Sequence, residues 1–378
     1  MSMRILLTGA SGVVGTETER QLCDTADRLR AAGQGGPYTL TKVARRPGDD
    51  TLIRWRMGTE PPPPALAGHW DVIVHCAAST RWTLSRAEAA EANVEPLRTV
   101  LRLADRATHF VHVSTAYVDG VRKPADLRGE EFEGYRNGYE WSKAVCEEVV
   151  RTEHPGPLTV VRPPLVVGRR HTGEIARFSG PYTLLQAIVS GLAAVVVGDP
   201  AGYAEISPVD EVGAAVAGAA YADPPTEART EVIAGGSASL TLDTLLEVVC
   251  RTLNECRAAH GVASIERPPI VSGSSWDRFF LPLANQHLSP FQNQAVRLLS
   301  MFQSYTSMSA PFEPTRAVAD PAAVMAASVR HWAARNPRRA LATPVPWTLL
   351  TADRHPVQPV TTWLACHSQP PANASDSS

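Results

Sequence analysis

The N-terminus sets the tightest limit on the fold. Arg4-Ile5-Leu6-Leu7 is a short apolar run that ends at Thr8-Gly9-Ala10-Ser11-Gly12-Val13-Val14-Gly15, and a helical pattern through Thr18, Gln21, Leu22 and Leu29 follows. Strand, glycine turn and helix in that order is the context in which glycine spacing means dinucleotide binding. Glycine permits the tight turn and lets the main chain approach a pyrophosphate, which then sits against the helix N-terminus. The spacing is G-x-x-G-x-x-G, a variant of G-x-G-x-x-G with the same physical logic. Thr8, Gly9, Ser11, Gly12, Val13, Val14 and Gly15 are therefore expected cofactor contacts, with an ordinary strand-to-helix turn as the alternative.

A second feature lies in mid-chain, at Asn137-Gly138-Tyr139-Glu140-Trp141-Ser142-Lys143. Tyr139 and Lys143 stand four apart, so on a helix they share one face. The residues from Ala144 to Val150 continue a helical pattern. An ammonium beside a phenol favours the phenolate, so Lys143 is expected to lower the Tyr139 pKa from its ordinary value of about 10. A tyrosine tuned that way passes a proton to a carbonyl oxygen near neutral pH.

The two motifs together resemble the extended branch of the short-chain dehydrogenase/reductase superfamily, whose signature is T-G-x-x-G-x-x-G followed by Y-x-x-x-K. The resemblance covers roughly residues 3 to 240. Three stretches are similar to the fatty acyl-CoA reductase and thioester reductase group, the male-sterility type: 75–82 (His-Cys-Ala-Ala-Ser-Thr-Arg-Trp), 113–118 (Val-Ser-Thr-Ala-Tyr-Val) and 206–212 (Ile-Ser-Pro-Val-Asp-Glu-Val). The resemblance implies an α/β fold: a Rossmann-type doubly wound parallel sheet with a smaller, mostly helical C-terminal substrate-binding region. It implies a catalytic hydroxyl three residues before a Val-Tyr-Gly triplet. Here Val118-Asp119-Gly120 stands in that place, which points to Thr115 rather than Ser114, with Asp119 replacing the triplet's tyrosine. It also implies that Asn93 helps hold the active-site lysine through water, and that Pro163 to Leu165 touch the nicotinamide ring.

Taken in order, Tyr38 to Ala44 reads as the second strand. An acidic residue at its end would bind ribose hydroxyls, whereas arginine accommodates a 2′-phosphate. Arg45 and Arg46 stand there, and the first acids, Asp49 and Asp50, come later. Guanidinium pairs bidentately with phosphate, so NADP(H) is expected over NAD(H). Residues 47 to 70 read as irregular. Asp71 to His75 is a buried strand ending in Cys76-Ala77-Ala78-Ser79, where small residues let a cofactor lie close to the main chain. His75 reads as a packed histidine rather than a base. A long helix is expected from Arg86 to Asp105, a strand over 109–113, a charged loop over 120–136, and strand and turn over 158–168. Helices over 181–191, 208–220 and 242–258 and strands over 193–197 and 231–236 follow. Phe279 to Leu283 and Ala295 to Tyr305 are apolar enough to form a hydrophobic cover, and residues 304–317 faintly resemble bacterial alcohol-forming acyl-CoA reductases. The domain expectation is a nucleotide core over 1–170, alternating segments over 171–240, a helical cover over 241–365 and a disordered tail over 366–378.

With 36 basic and 38 acidic residues, the chain has no electrostatic reason to seek nucleic acid or anionic membrane. Its six cysteines show neither metal spacing nor a disulfide framework, so no metal is expected. No apolar run reaches the roughly 18 residues of a membrane helix, and no signal peptide is apparent, so a cytoplasmic protein is expected. The function expected is NADPH-dependent reduction of a carbonyl or acyl thioester, CoA- or carrier-bound, to aldehyde or alcohol by Thr115, Tyr139, Lys143 and Asn93. The alternatives are a nucleotide-sugar epimerase or dehydratase, a ketone reductase, or a binding protein of the same fold. A homodimer is a possible assembly.

Overall fold

A computed structural model describes residues 2–46, 50–118, 132–282, 305–345, 348–350 and 356–359. The chain divides into two compact units. The first comprises Met1–Phe178, Glu205–Ser239 and Ser309–Ser328, and the second Ser179–Ala204, Leu240–Met308 and Val329–Ser378.

The first unit is built on an eight-stranded sheet whose paired strands all run parallel. Its strands are β1 (Met3–Thr8), β2 (Tyr38–Ala44), β3 (Leu52–Arg54), β4 (Val72–His75), β5 (His109–Val113), β6 (Leu158–Arg162), β7 (Arg229–Ala234) and β8 (Arg316–Ala317). They lie in the order β8-β7-β6-β5-β4-β1-β2-β3. Every residue of β4 and β5 is buried, as expected of strands covered on both faces. The order reverses between β1 and β4, with Thr8 opposite His75. In open α/β sheets such a reversal leaves a crevice at the strands' C-terminal ends, where ligands bind.

Helix α1 (Val13–Ala31) follows the glycine turn. The helical stretch expected over 86–105 starts as read but ends four residues early: α2 (Arg86–Ala89), a π-turn (Ala90–Val94) and α3 (Glu95–Leu101) run on from one another. Ser85 and Glu88 close a reciprocal capping box at its start. Helix α4 (Gly138–Glu153) carries the mid-chain motif. Leu6, Trp55, Ile73, Leu97, Phe110 and Val150 bring β1, β4, β5, α3 and α4 into one apolar core.

Two strands of this sheet escaped the sequence reading. Residues 47–70 were expected to be irregular, yet β3 pairs with β2, and Trp55 N–H extends the pairing by donating to Ala44 O at 3.1 Å. Strand β8 lies where the resemblance fades. Past β6, Leu165–Val167 pairs instead with Ile206–Pro208. Helix α6 (Val209–Tyr221) then packs on α1, where a Cβ on Gly213 would stand 2.9 Å from Glu17 Cγ.

In the second unit, α5 (Pro181–Ser190) ends at left-handed Gly191, and α7 (Leu242–Ala258) is capped by Thr241. The strand expected over 193–197 is only Val196–Val197, paired with Ile270–Val271. Phe279, expected in a hydrophobic cover, is 55% exposed. Residues 283–304, Asp49, Asp119, the loop 119–131 and the tail from 360 lie outside the described residues. No described helix is long and apolar enough to cross a membrane.

Candidate active site

The glycine turn is shaped by contacts that only hydrogen side chains allow. Gly9 has φ +71°, and a Cβ there would stand 2.6 Å from Ala77 N. A Cβ on Gly15 would stand 2.1 Å from Gly9 O, so this glycine lets α1 press on the turn. Gly12 differs: its backbone is extended, and a Cβ would meet nothing closer than Gly9 O at 3.1 Å. Gly12 caps α1 without a side-chain hydrogen bond, and the first turn of α1 contains no acid. An uncapped helix start presents free N–H groups and a positive dipole end. Around this turn opens a cavity of about 1230 Å³, bounded by Gly9, Ser11 and Gly12 on one side and by Ala77, Ala78 and Ser79 after β4 on the other. These features fit a dinucleotide with its pyrophosphate against the start of α1.

Arg45 and Arg46 line the same cavity, both exposed, directly after β2. The sequence reading missed Arg54 and Arg56, which flank buried Trp55 and reach this end from β3. Their alternation around a tryptophan was the available signal, obscured by the proline-rich stretch behind it. Their guanidinium groups come no nearer to Glu60 than 3.7 and 4.0 Å, while the Arg56 main-chain N–H donates to that carboxylate at 3.1 Å. Arg81 and Arg177 also face the cavity, against Glu88 and Glu91. Six arginines and two glutamates make this wall strongly basic in a chain of net charge −2.

The catalytic candidates meet along β5 and α4. Asn137 caps α4 by accepting from Glu140 N–H at 3.0 Å, which sets Tyr139 in the first turn and Lys143 one turn on. Thr115 follows β5, buried, and its Oγ1 donates to Pro163 O at 3.2 Å. The Thr115 hydroxyl also lies near enough to the Tyr139 phenol to favour its charged form. Ser114 is buried beside them and makes no side-chain hydrogen bond among the described residues. Pro163 thus adjoins Thr115 through its carbonyl, whereas Leu165 N–H donates to Glu205 O. Neither Thr115, Tyr139 nor Lys143 belongs to the lining of the basic cavity.

The expected electrostatics are corrected here. Lys143 is buried and directs its ammonium to Val113 O at 2.7 Å and His112 Nε2 at 3.3 Å. Burial, with lesser effects of Glu140 and Cys146, pushes the Tyr139 phenol above its ordinary value, and the nearby Thr115 hydroxyl opposes this. Tyr139 is therefore a protonated donor across the neutral range. Burial also lowers the Lys143 pKa.

Asn93 sits within the π-turn, fully enclosed. Its Oδ1 accepts from Ser79 N–H at 2.7 Å, and its Nδ2 donates to Ser79 O at 3.1 Å and Ser142 Oγ at 2.8 Å. Ser142 in turn donates to Tyr139 O at 2.8 Å. Asn93 thereby ties the cavity wall to α4 and makes no direct bond to Lys143. His75 is packed as read: its Nδ1 meets Thr8 Oγ1 at 2.8 Å, and burial lowers its pKa to about 3.

Residues 63–216, which include Asn93, Thr115, Tyr139 and Lys143, match the NAD-binding family described as male sterility protein. Over these residues the chain is similar to that NAD-binding family. Fatty acyl-CoA reductase 1 of Xenopus laevis is 31% identical over 176 residues, covering 38% of this chain and 34% of that protein. The matched region thus spans about a third of the curated acyl-CoA reductases. The isonitrile lipopeptide synthase of Streptomyces coeruleorubidus is 29% identical over 246 residues, 56% of this chain and 16% of that one. Among solved structures, the terminal R domain of the myxalamid PKS-NRPS pathway superposes with a TM-score of 0.65 at 17% identity, covering 91% of this chain and 93% of that one. The PhqB reductase domain of Penicillium fellutanum gives 0.57 at 16%, covering 89% and 94%. At these identities both establish the fold.

Proposed function

We propose that the chain is an NADPH-dependent reductase of acyl thioesters, CoA- or carrier-bound, yielding aldehyde or alcohol. The observation that carries this reading is the nearness of the Thr115 and Tyr139 hydroxyls, with Lys143 one helical turn along α4, in a fold whose glycine turn borders the basic cavity. The acyl-CoA reductase and carrier-type relatives support the substrate class, and the arginines after β2 and along β3 support the phosphorylated cofactor.

The reduced nicotinamide supplies a hydride. Gly12 leaves main-chain room for the pyrophosphate, and Arg45 and Arg46 take the 2′-phosphate. Tyr139 donates its proton to the substrate carbonyl oxygen as negative charge builds there. Thr115 steadies that oxygen, for which its hydroxyl rotates away from Pro163 O. Lys143, on α4, would hold the cofactor ribose. A thioester that gains hydride at carbon and the Tyr139 proton at oxygen becomes a hemithioacetal, which collapses to aldehyde and thiol. A second round gives the alcohol.

Loss of the reduced nicotinamide absorbance, followed with acyl-CoAs, carrier-bound thioesters, aldehydes and ketones using NADPH and NADH in parallel, tests the reading. Thiol release with acyl-CoA and NADPH is the expected result. Turnover of ketones alone would replace the thioester reading with ketone reduction, and redox-neutral conversion of a nucleotide sugar would overturn it.

A further inference from the structure

A row of buried side chains crosses the C-terminal edge of the sheet from the glycine turn to the catalytic helix. Strand register sets Thr8 opposite His75 and His75 opposite His112. Thr8 Oγ1 bonds His75 Nδ1 at 2.8 Å, the His75 and His112 rings stack at 5.6 Å and 12°, and His112 Nε2 lies 3.3 Å from Lys143 Nζ. All four residues are at most 2% exposed.

A buried ammonium needs acceptors, since its desolvation is otherwise uncompensated. Lys143 has Val113 O and His112 Nε2 in reach, and no carboxylate bonds it among the described residues. An ammonium carries only donors, so His112 must offer the Nε2 lone pair and hold its one proton on Nδ1. Nδ1 makes no hydrogen bond among the described residues.

We propose that His112 is a positioning residue for Lys143: its neutral imidazole accepts from the ammonium through Nε2, keeping that lysine charged and aimed from α4 toward the cofactor ribose. This rests on the cofactor-holding role given to Lys143 above. The groups facing this pair are consistent with it. From the end of β4 come His75 and Cys76, and from α4 come Cys146, Glu147 and Arg151. Burial and the Lys143 charge, followed by His75 and Arg151, hold His112 well below its ordinary value, so it stays neutral. The same facts remove His112 as a substitute acid for Tyr139.

The test uses the full chain in three arms. In NADPH-loaded protein, nitrogen-15 NMR of histidine should give His112 as the neutral Nδ1–H tautomer from pH 5 to 8. A proton on Nε2 would overturn the proposal, and this measurement needs no variant. His112→Leu should weaken NADPH binding, read by fluorescence titration, about tenfold or more, and move the alkaline limb of kcat to lower pH by about one unit, because an acceptor for the charged form is lost. His112→Gln returns a carbonyl acceptor and should recover most of both. Unchanged binding and an unchanged limb in a folded His112→Leu would also overturn it. Lys143→Ala separates the two ideas: full NADPH affinity and turnover there would discard the lysine's role itself, whatever His112 does.

Discussion

The main-chain nitrogen of Ala77 stands 2.6 Å from where a Cβ on Gly9 would lie, whereas the space above Gly12 is bounded only by Gly9 O at 3.1 Å. One glycine therefore serves packing and the other leaves room for a ligand. Gly9→Ala combines a left-handed backbone with a main-chain clash, and should cost at least about 2 kcal/mol of stability. Gly12→Val should keep a near-native melting curve yet abolish NADPH binding. Normal NADPH affinity in a folded Gly12→Val would remove the dinucleotide assignment of residues 8–15.

Cofactor choice is the next expectation. Arg45→Ala with Arg46→Ala should raise the NADPH dissociation constant ten- to a hundredfold, about 1.4 to 2.8 kcal/mol, and leave NADH nearly unaffected. Calorimetric titration of both nucleotides checks this. Equal losses would make the arginines structural. Arg54 and Arg56 share the basic wall, so a smaller NADPH loss in the first pair would turn attention to β3.

The glycine turn, β1, β2 and the helix bearing Tyr139 and Lys143 were legible because each rests on local signals: period, turn glycine and cap. Strand β3 was not, since three residues carry too little pattern, and its pairing depends on Trp55 burying against distant core residues. The orientation of the Lys143 ammonium was likewise hidden. Spacing on a helix puts two side chains on one face, but it does not say which buried acceptors compete for them. Here Val113 O and His112 take the ammonium. Asn93 was found by resemblance, whereas its bonds to Ser79 and Ser142 depend on a π-turn with no evident sequence mark.

Those bonds give a prediction of their own. Asn93→Ala would leave the Ser79 amide without its Oδ1 acceptor and Ser142 without its donor. An orphaned buried group costs about 1 to 3 kcal/mol, so Tm should fall visibly. NADPH affinity should fall too, because Ser79 lines the cavity. An unchanged Tm would show that this clamp contributes little.

Acid stability follows from the buried histidines. Burial lowers His75 to about 3 and His109 to about 4, and also depresses His112 and His154. Unfolded histidines titrate near about 6.5. Between those values the unfolded chain binds more protons than the folded one, so stability falls as pH drops from about 6.5 toward about 4. His69, raised by its hydrogen bond with Asp105, and burial-raised Glu17 and Glu205 act in the opposite sense, with fewer groups. Melting curves at pH 7.5, 6 and 5 should show an accelerating loss of Tm, and a flat profile would contradict it.

The proton donor is the last expectation. Burial keeps the Tyr139 phenol protonated, so it needs no neighbouring charge to deliver a proton, only a carbonyl oxygen that becomes basic as hydride arrives. Tyr139→Phe preserves the ring and removes the acid. It should lower kcat by about a hundredfold or more, with NADPH affinity intact. Thr115→Ala should cost a similar factor, since one donor aimed at developing charge is worth about 3 to 4 kcal/mol, and Thr115→Ser should recover much of it. Tyr135, the phenol four residues before Tyr139, packs against the Leu84, Ala89 and Trp141 cluster. Single-turnover rates on the thioester substrate decide the matter. If Tyr139→Phe keeps more than about a tenth of wild-type turnover, a donor worth the factor expected of general acid catalysis is not at Tyr139, and Tyr135→Phe becomes the variant to compare.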